Sequence, residues 1–380
     1  MGLMSDTAGM VQYKCVGSID GSAISQCLNK FSFHNINADA IESHGWVNVY
    51  NHNSFSEAEL LNASNYYAFT MRHDKKKIPP SLISNLMSQE CDLWLSNNPS
   101  CYRVPQKVRM ELKERLISSL TTKALPNPAF CDVLWDLDKS IITVFTTNSK
   151  MIALVETSLH ETFPGVSFIF ISPMSRARTL IGGKRLSETL DILDKSARTE
   201  DVLLDIKNNT WIGIDFLWWG MYVTSSRSGE YKVQSPGPIA ADSKFVAYLN
   251  DLFLMIAESE HGQRKSYIMG AQNEFAESRK ALVEGKHISE AVIYFEKESL
   301  NWSIRLRGNT FDFAPIQCPP ITVENNTQEE REGAFLERIN LLESGQQLFD
   351  SFFLSFLTER LSDKWTSVNK TICDWVMASE

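Results

Sequence analysis

Pro79 and Pro80 stand side by side in "MRHDKKKIPPSLI". Proline fixes φ, lacks an amide proton and pushes the residue before it into extended backbone, so neither a strand ladder nor a helix runs through this pair. A helix can start on it. The chain therefore changes element here. "YYAFTMR" alternates as a strand before the pair, and Leu82, Ile83, Leu86 and Met87 recur at helical spacing after it. "NNPS" at 97–100 ends that helix. A second helix, about 105–122, carries the stripe Val104, Val108, Leu112, Leu116 and Leu120. Strands resume with "DVLWDL" and "SIITVFTT". Two helices between strands predict a helical hairpin inserted into a sheet, entered through a basic turn.

The flanking sequence reads as strands and helices in groups. "YKCVG" and "GWVNVY" alternate as strands, "SAISQCLNKFSF" has helical spacing, and a helix at about 149–162 leads into the strand "VSFIFIS". Composition changes around 173–184, which predicts a domain joint. Residues 186–262 read as mostly helical at their ends. "TWIGIDFLWWGMYVTS" between them fits a buried helix or a buried strand equally well. The segment 288–323 alternates as a strand pair. From 329 to about 376 the chain reads as one long helix or two, with Leu336, Ile339, Leu342, Leu348, Phe352 and Phe356 as the apolar face. Strict βαβα alternation is missing, so the fold class is α+β.

Charge is unevenly placed. Between residues 72 and 123, ten basic residues (Arg72, Lys75, Lys76, Lys77, Arg103, Lys107, Arg109, Lys113, Arg115, Lys123) face five acids, while the whole chain carries −9. A basic hairpin on an acidic body can grip phosphates locally, because released counterions drive such binding whatever the total charge. The plain alternative is a solvated amphipathic hairpin. A second basic group, Arg176, Arg178, Lys184 and Arg185, surrounds Gly182 and Gly183.

Motifs for catalysis are weak. "LIGGKRL" contains Gly-Gly-Lys, but Arg178, two residues before this stretch, stands where a phosphate loop needs its first Gly, and Arg185 where it needs Ser or Thr. His160-Glu161 begins an HExxH pattern, but Pro164 takes the second His position. Asp136 and Asp138 alternate at a strand end and would share one face, as magnesium-binding nuclease carboxylates do, although further ligands cannot be named. The seven cysteines show no CxxC spacing, which reads as neither a zinc site nor a disulfide framework. No signal-peptide pattern opens the chain, and its most apolar stretch, 211–223, is short for a bilayer and contains Asp215. These readings predict a soluble cytoplasmic protein with no metal, no cofactor and no catalytic residue. Glu329, Glu330, Glu332, Glu337 and Glu343 form an acidic run that could instead dock a partner protein.

Several stretches, in order, resemble the recombination-associated protein RdgC family. They are "GWVNVYNHNSF", "YAFTMRHDKKKIPPSLI", "ELKERLISSLTTKALPNPAFCDVLWDLDKSIITVFTTNSK", "IGIDFLWWGMYVTSSRSGEY", "ALVEGKHISEAVIYF" and "LERINLLESGQQLFDSFFLSFLTERLSDKW", together spanning about 11–365. The resemblance implies a central mixed α/β domain (1–78 plus 123–175), a helical tip hairpin inserted at 79–122 and a C-terminal α+β base domain (176–380). It implies a ring-shaped homodimer that encircles double-stranded DNA regardless of sequence. Such a dimer limits the access of RecA and acts at the nucleoid in replication and recombination. DNA contacts would come from Arg72, Lys75, Lys76, Lys77, Arg103, Lys107, Arg109, Lys113 and Lys123, with Arg176, Arg178, Lys184 and Arg185 as the second group. Lys75 to Lys77 and Lys123 match basic family positions, and Leu125 matches an apolar position at the tip contact between subunits. At "IMGAQ" the chain lacks a basic pair that some members carry, and it has extra residues around 200–270. The rival readings are a metal-dependent nuclease using Asp136 and Asp138, and a recombination scaffold that does not bind DNA.

Overall fold

A computed structural model describes residues 2–17, 19–37, 40–195, 201–259, 262–270, 274–322 and 327–378. The chain opens with β1 (Thr7–Val16), α1 (Gly21–Lys30), β2 (Glu42–Val47), β3 (Leu61–Ala63) and β4 (Tyr66–Lys76). The hairpin α2 (Pro80–Asn97) and α3 (Gln106–Lys123) follows, then β5 (Pro126–Asp136), β6 (Ile141–Val144), α4 (Ser149–Thr162) and β7 (Ser167–Phe170). Four helices come next: α5 (Pro173–Leu180), α6 (Lys184–Leu193), α7 (Val202–Asn208) and α8 (Trp211–Ser226). The last part holds β8 (Glu230–Lys232), β9 (Lys244–Ser259), β10 (Gly262–Met269), α9 (Ala276–Val283), β11 (His287–Lys297), β12 (Leu300–Arg307), β13 (Phe313–Gln317), α10 (Gln328–Arg360) and α11 (Trp365–Met377). Among the described residues no helix is long and apolar enough to cross a membrane.

The α+β class holds. One antiparallel sheet runs β10-β9-β11-β12-β13-β1-β6-β5-β4-β2, with β3 on β4, β7 on β1 and β8 on β9. β1 is its hinge strand: Thr7 and Ala8 pair with Gln317 and Ile316 of β13, while Val11 to Lys14 pair with Val144 to Ile141 of β6. Alternate residues of a strand face opposite ways. Phe69, Val133 and Trp135 thus pack on Val155, Leu159 and Phe163 around α4, whereas Ala68 and Leu134 face a larger core. That larger core centres on Phe216 and Trp219 of α8 and on Phe349, Phe352, Phe353 and Phe356 of α10.

Three sequence expectations change. The basic tract is not a turn: β4 runs through Arg72, Lys75 and Lys76 and pairs Lys76 with Pro126. Residues 244–259 form a strand rather than the end of a helical region. Leu336, expected on the apolar face of α10, and Leu82, expected on that of α2, are exposed. The ambiguous apolar stretch is α8, a helix apolar all round because it is enclosed all round, as its buried Ile212, Phe216, Leu217, Trp219 and Val223 attest.

Candidate nucleic-acid interface

β4 lies between β2 and β5 up to the hairpin, and α2 and α3 extend from the ends of β4 and β5. The first five residues of β5, Pro126 to Phe130, are all exposed, because β6 pairs only with Val133 to Asp136 and leaves this end of β5 as a sheet edge beside the hairpin. Pro80 sits in the first turn of α2, where its missing amide proton costs no hydrogen bond. The helices pack on each other through few buried side chains, namely Met87 of α2 and Leu112 and Thr121 of α3. An open cleft of about 550 Å³ between them is lined by Ile83, Met87, Cys91, Asp92, Arg109 and Lys113 among others.

The predicted cations divide into two classes. Lys77, Arg103, Lys107, Arg109, Lys113 and Lys123 are exposed and make no hydrogen bond or ion pair among the described residues. All six lie on the hairpin or at its root. The others are engaged. Arg72 forms a two-pronged pair with Asp74 at 2.8 Å on each arm, donates to the His52 carbonyl at 2.8 Å and lies over the Phe33 ring at 4.2 Å. Lys75 reaches Glu42 at 2.7 Å, which holds the Glu42 carboxyl below its ordinary range. Lys76 is buried and donates to the Asn37 carbonyl at 3.3 Å. Arg115 pairs loosely with Glu90 at 3.4 Å.

The second basic group is tied into the fold. Arg176 turns inward to Asp350 at 2.7 Å and Gln12 at 3.2 Å, between the rings of Phe313 and Phe349. Arg178 bridges Asp191 at 2.5 Å and Asp194 at 2.7 Å. Arg185 pairs with Asp363, and Lys184 lies 3.8 Å from Glu188. Leu125 is 87% exposed, but it sits between α3 and β5, at the root of the hairpin and not at its far end.

Asp136 accepts from the Lys139 amide at 2.9 Å and pairs with its ammonium at 3.3 Å, capping the turn after β5. Asp138 lies beyond the strand, where alternation no longer applies, and accepts from Asn65 at 3.0 Å. Among the described residues no group of three or more His, Cys, Asp and Glu is arranged to hold a metal ion. Three of the five acids in the expected docking run have partners within the fold. Glu330 closes a capping box with Thr327, Glu337 accepts from Thr322, and Glu343 takes Lys139 and the Tyr66 hydroxyl. The strand β10 carries Arg264 and Lys265, both exposed and unpaired among the described residues. The sequence reading missed them because it saw no strand there. They precede the "IMGAQ" segment, whose Ala271 and Gln272 lie outside the described residues.

Residues 10–182 match the model of the RdgC family, described as "Putative exonuclease, RdgC". The stretch runs from within β1 to the end of α5 and includes the whole hairpin. The resemblance read from the sequence is borne out over these residues, and the match supports a recombination-associated protein. No curated protein was found to match the chain.

Proposed function

We propose that this chain binds double-stranded DNA without reading its sequence, as a homodimer closed around the duplex, and so limits the access of a RecA-type recombinase. The observation that carries the reading is the separation of its cations. Six of those on the α2–α3 hairpin or at its root are exposed and unpaired among the described residues, Arg115 being the one that pairs loosely with an acid, while the second basic group is matched to acids. Phosphates are bound by such free Lys and Arg, and backbone contacts position a protein without specifying bases. Encirclement adds residence time that no sequence readout supplies. The acidic remainder keeps other faces off the DNA and is compatible with a total of −9. The chain is read as non-enzymatic and cofactor-free, acting in the cytoplasm at the nucleoid.

Binding of a linear duplex and of a closed circle across a salt series tests this. Six phosphate contacts give a slope of log K against log salt of about −5. Slower loss from the circle than from the linear duplex is expected of a ring. Failure to bind at low salt would remove the reading. The family description favours exonuclease activity as the second reading, and Asp136 and Asp138 are its candidate carboxylates. Labelled duplex incubated with magnesium and excess protein is expected to stay full length. Shortening that Asp136→Ala abolishes would establish the second reading instead.

A further inference from the structure

Tyr102 lies in the loop between α2 and α3, at the far end of the hairpin, and its side chain is fully exposed. It has neither a hydrogen bond nor a ring contact among the described residues. The loop beneath it is built: the Asn98 amide donates to Leu95 at 3.0 Å, the Asn98 side chain to Trp94 at 2.8 Å, and the Cys101 amide to Asn98 at 2.9 Å. Pro99 and Pro105 restrict the backbone on either side. The ring is therefore presented on a defined turn rather than carried on a loose one. Its surroundings have one sign of charge. From residue 93 to residue 110 there is no acid, and Arg103, Lys107 and Arg109 are all exposed and unpaired among the described residues.

We infer that this end of the hairpin is a stacking site for unpaired nucleotides, with Tyr102 as the platform and Arg103 and Lys107 as the flanking phosphate contacts. The inference rests on the DNA-binding reading and adds a substrate class to it. An aromatic ring interleaved with cations is the chemistry that holds single-stranded nucleic acid, because every base offers a π-face and every step a phosphate. Within a duplex those faces are already stacked on neighbours. The ring therefore gains a contact only where a base lacks a neighbour, at a gap or a single-stranded end. The chain is accordingly expected to prefer interrupted duplex over continuous duplex.

The test compares binding to a covalently closed duplex circle and to the same circle carrying a single-stranded gap. Wild-type protein binds the gapped circle about tenfold more tightly. Tyr102→Ala removes that preference, leaves binding of the closed circle unchanged and unfolds at the wild-type temperature. Tyr102→Phe keeps the preference, since the ring and not the hydroxyl does the stacking. Arg103→Ala weakens both and lowers the salt slope by about 1. Equal wild-type affinity for the two circles would overturn the inference while leaving the duplex reading standing. So would Tyr102→Ala if it dissociated the protein in sedimentation but kept the gap preference. Binding of the gapped circle alone would do the reverse, sustaining the stacking site and removing the duplex reading.

Discussion

Arg72 and Lys77 stand five residues apart in one basic tract, and the fold uses them differently. The Arg72 side chain is 14% exposed and that of Asp74 is 2% exposed. Removing the guanidinium leaves a buried carboxylate without its partner, a loss that costs about 3–5 kcal/mol. Arg72→Ala should therefore lower stability by about 3 kcal/mol in urea unfolding. It should leave the salt slope of DNA binding alone wherever the variant is still folded. Among the described residues Lys77 has no partner to lose. Lys77→Ala should keep stability within about 0.5 kcal/mol and lower the salt slope by about 1. The opposite pattern would mean that the ion pairing of the free chain does not sort its DNA contacts. The sequence shows both residues as equal members of a charge run. What separates them is partly local, the i,i+2 pairing of Arg72 with Asp74 on one strand face. For Arg176 it is wholly non-local, since Asp350 is 174 residues away along the chain. No count of charge along a segment contains that information.

At the scale of the element, the hairpin was legible and two neighbours were not. Pro79-Pro80 and "NNPS" mark helix ends by backbone chemistry alone, so α2 and α3 fall within a residue or so of their predicted places. β9 misled because it is bulged. Ala291 of β11 pairs with Phe253 and Val292 with Asn250, so Asp251 and Leu252 are extra, and Asp251 takes a φ of 67°. Two extra residues keep the parity, so Phe245, Leu249 and Phe253 stay buried at a spacing that also fits a helix, while Asp251 interrupts the alternation between them. α8 was undecided because an enclosed helix has no polar face to set its period. Its position depends on close backbone approach: a Cβ on Gly213 would stand 1.7 Å from the Gly308 carbonyl oxygen. By helix propensity alone Gly213→Ala would gain about 1 kcal/mol. The backbone of Gly308 cannot swing aside as a side chain can, so a net loss of about 2 kcal/mol is expected instead. Thermal unfolding decides the sign, and a rise in Tm would mean that α8 can move off β12 without cost.

Across the whole molecule, two cores on opposite faces of one sheet are joined through the N-terminal strand. β1 pairs with β13 on one side and with β6 on the other, and the Cys318 amide donates to the Asp6 carbonyl at 2.9 Å. Arg338 reinforces the join. Its guanidinium is fully buried in α10 and donates to the Leu3 carbonyl at 2.8 Å and to the Ser5 carbonyl. Leu3 is itself fully buried in the larger core, while its amide donates at 2.8 Å to Asp132 of β5. A short N-terminal segment thus holds α10 and β5 together. Arg338→Ala strips the donors from two carbonyls and opens a cavity, a loss of about 3 kcal/mol. The loss falls on the junction rather than within either core. Scanning calorimetry is therefore expected to show one transition in the wild type and a separated, earlier transition in the variant. The hairpin belongs to the β4–β5 side, so the DNA contacts proposed for it would be released from the α8–α10 side in the same temperature range. A single sharp transition at a lower temperature would instead assign the coupling to the β1–β13 ladder alone, with Arg338 only adding stability to a join that the backbone already makes.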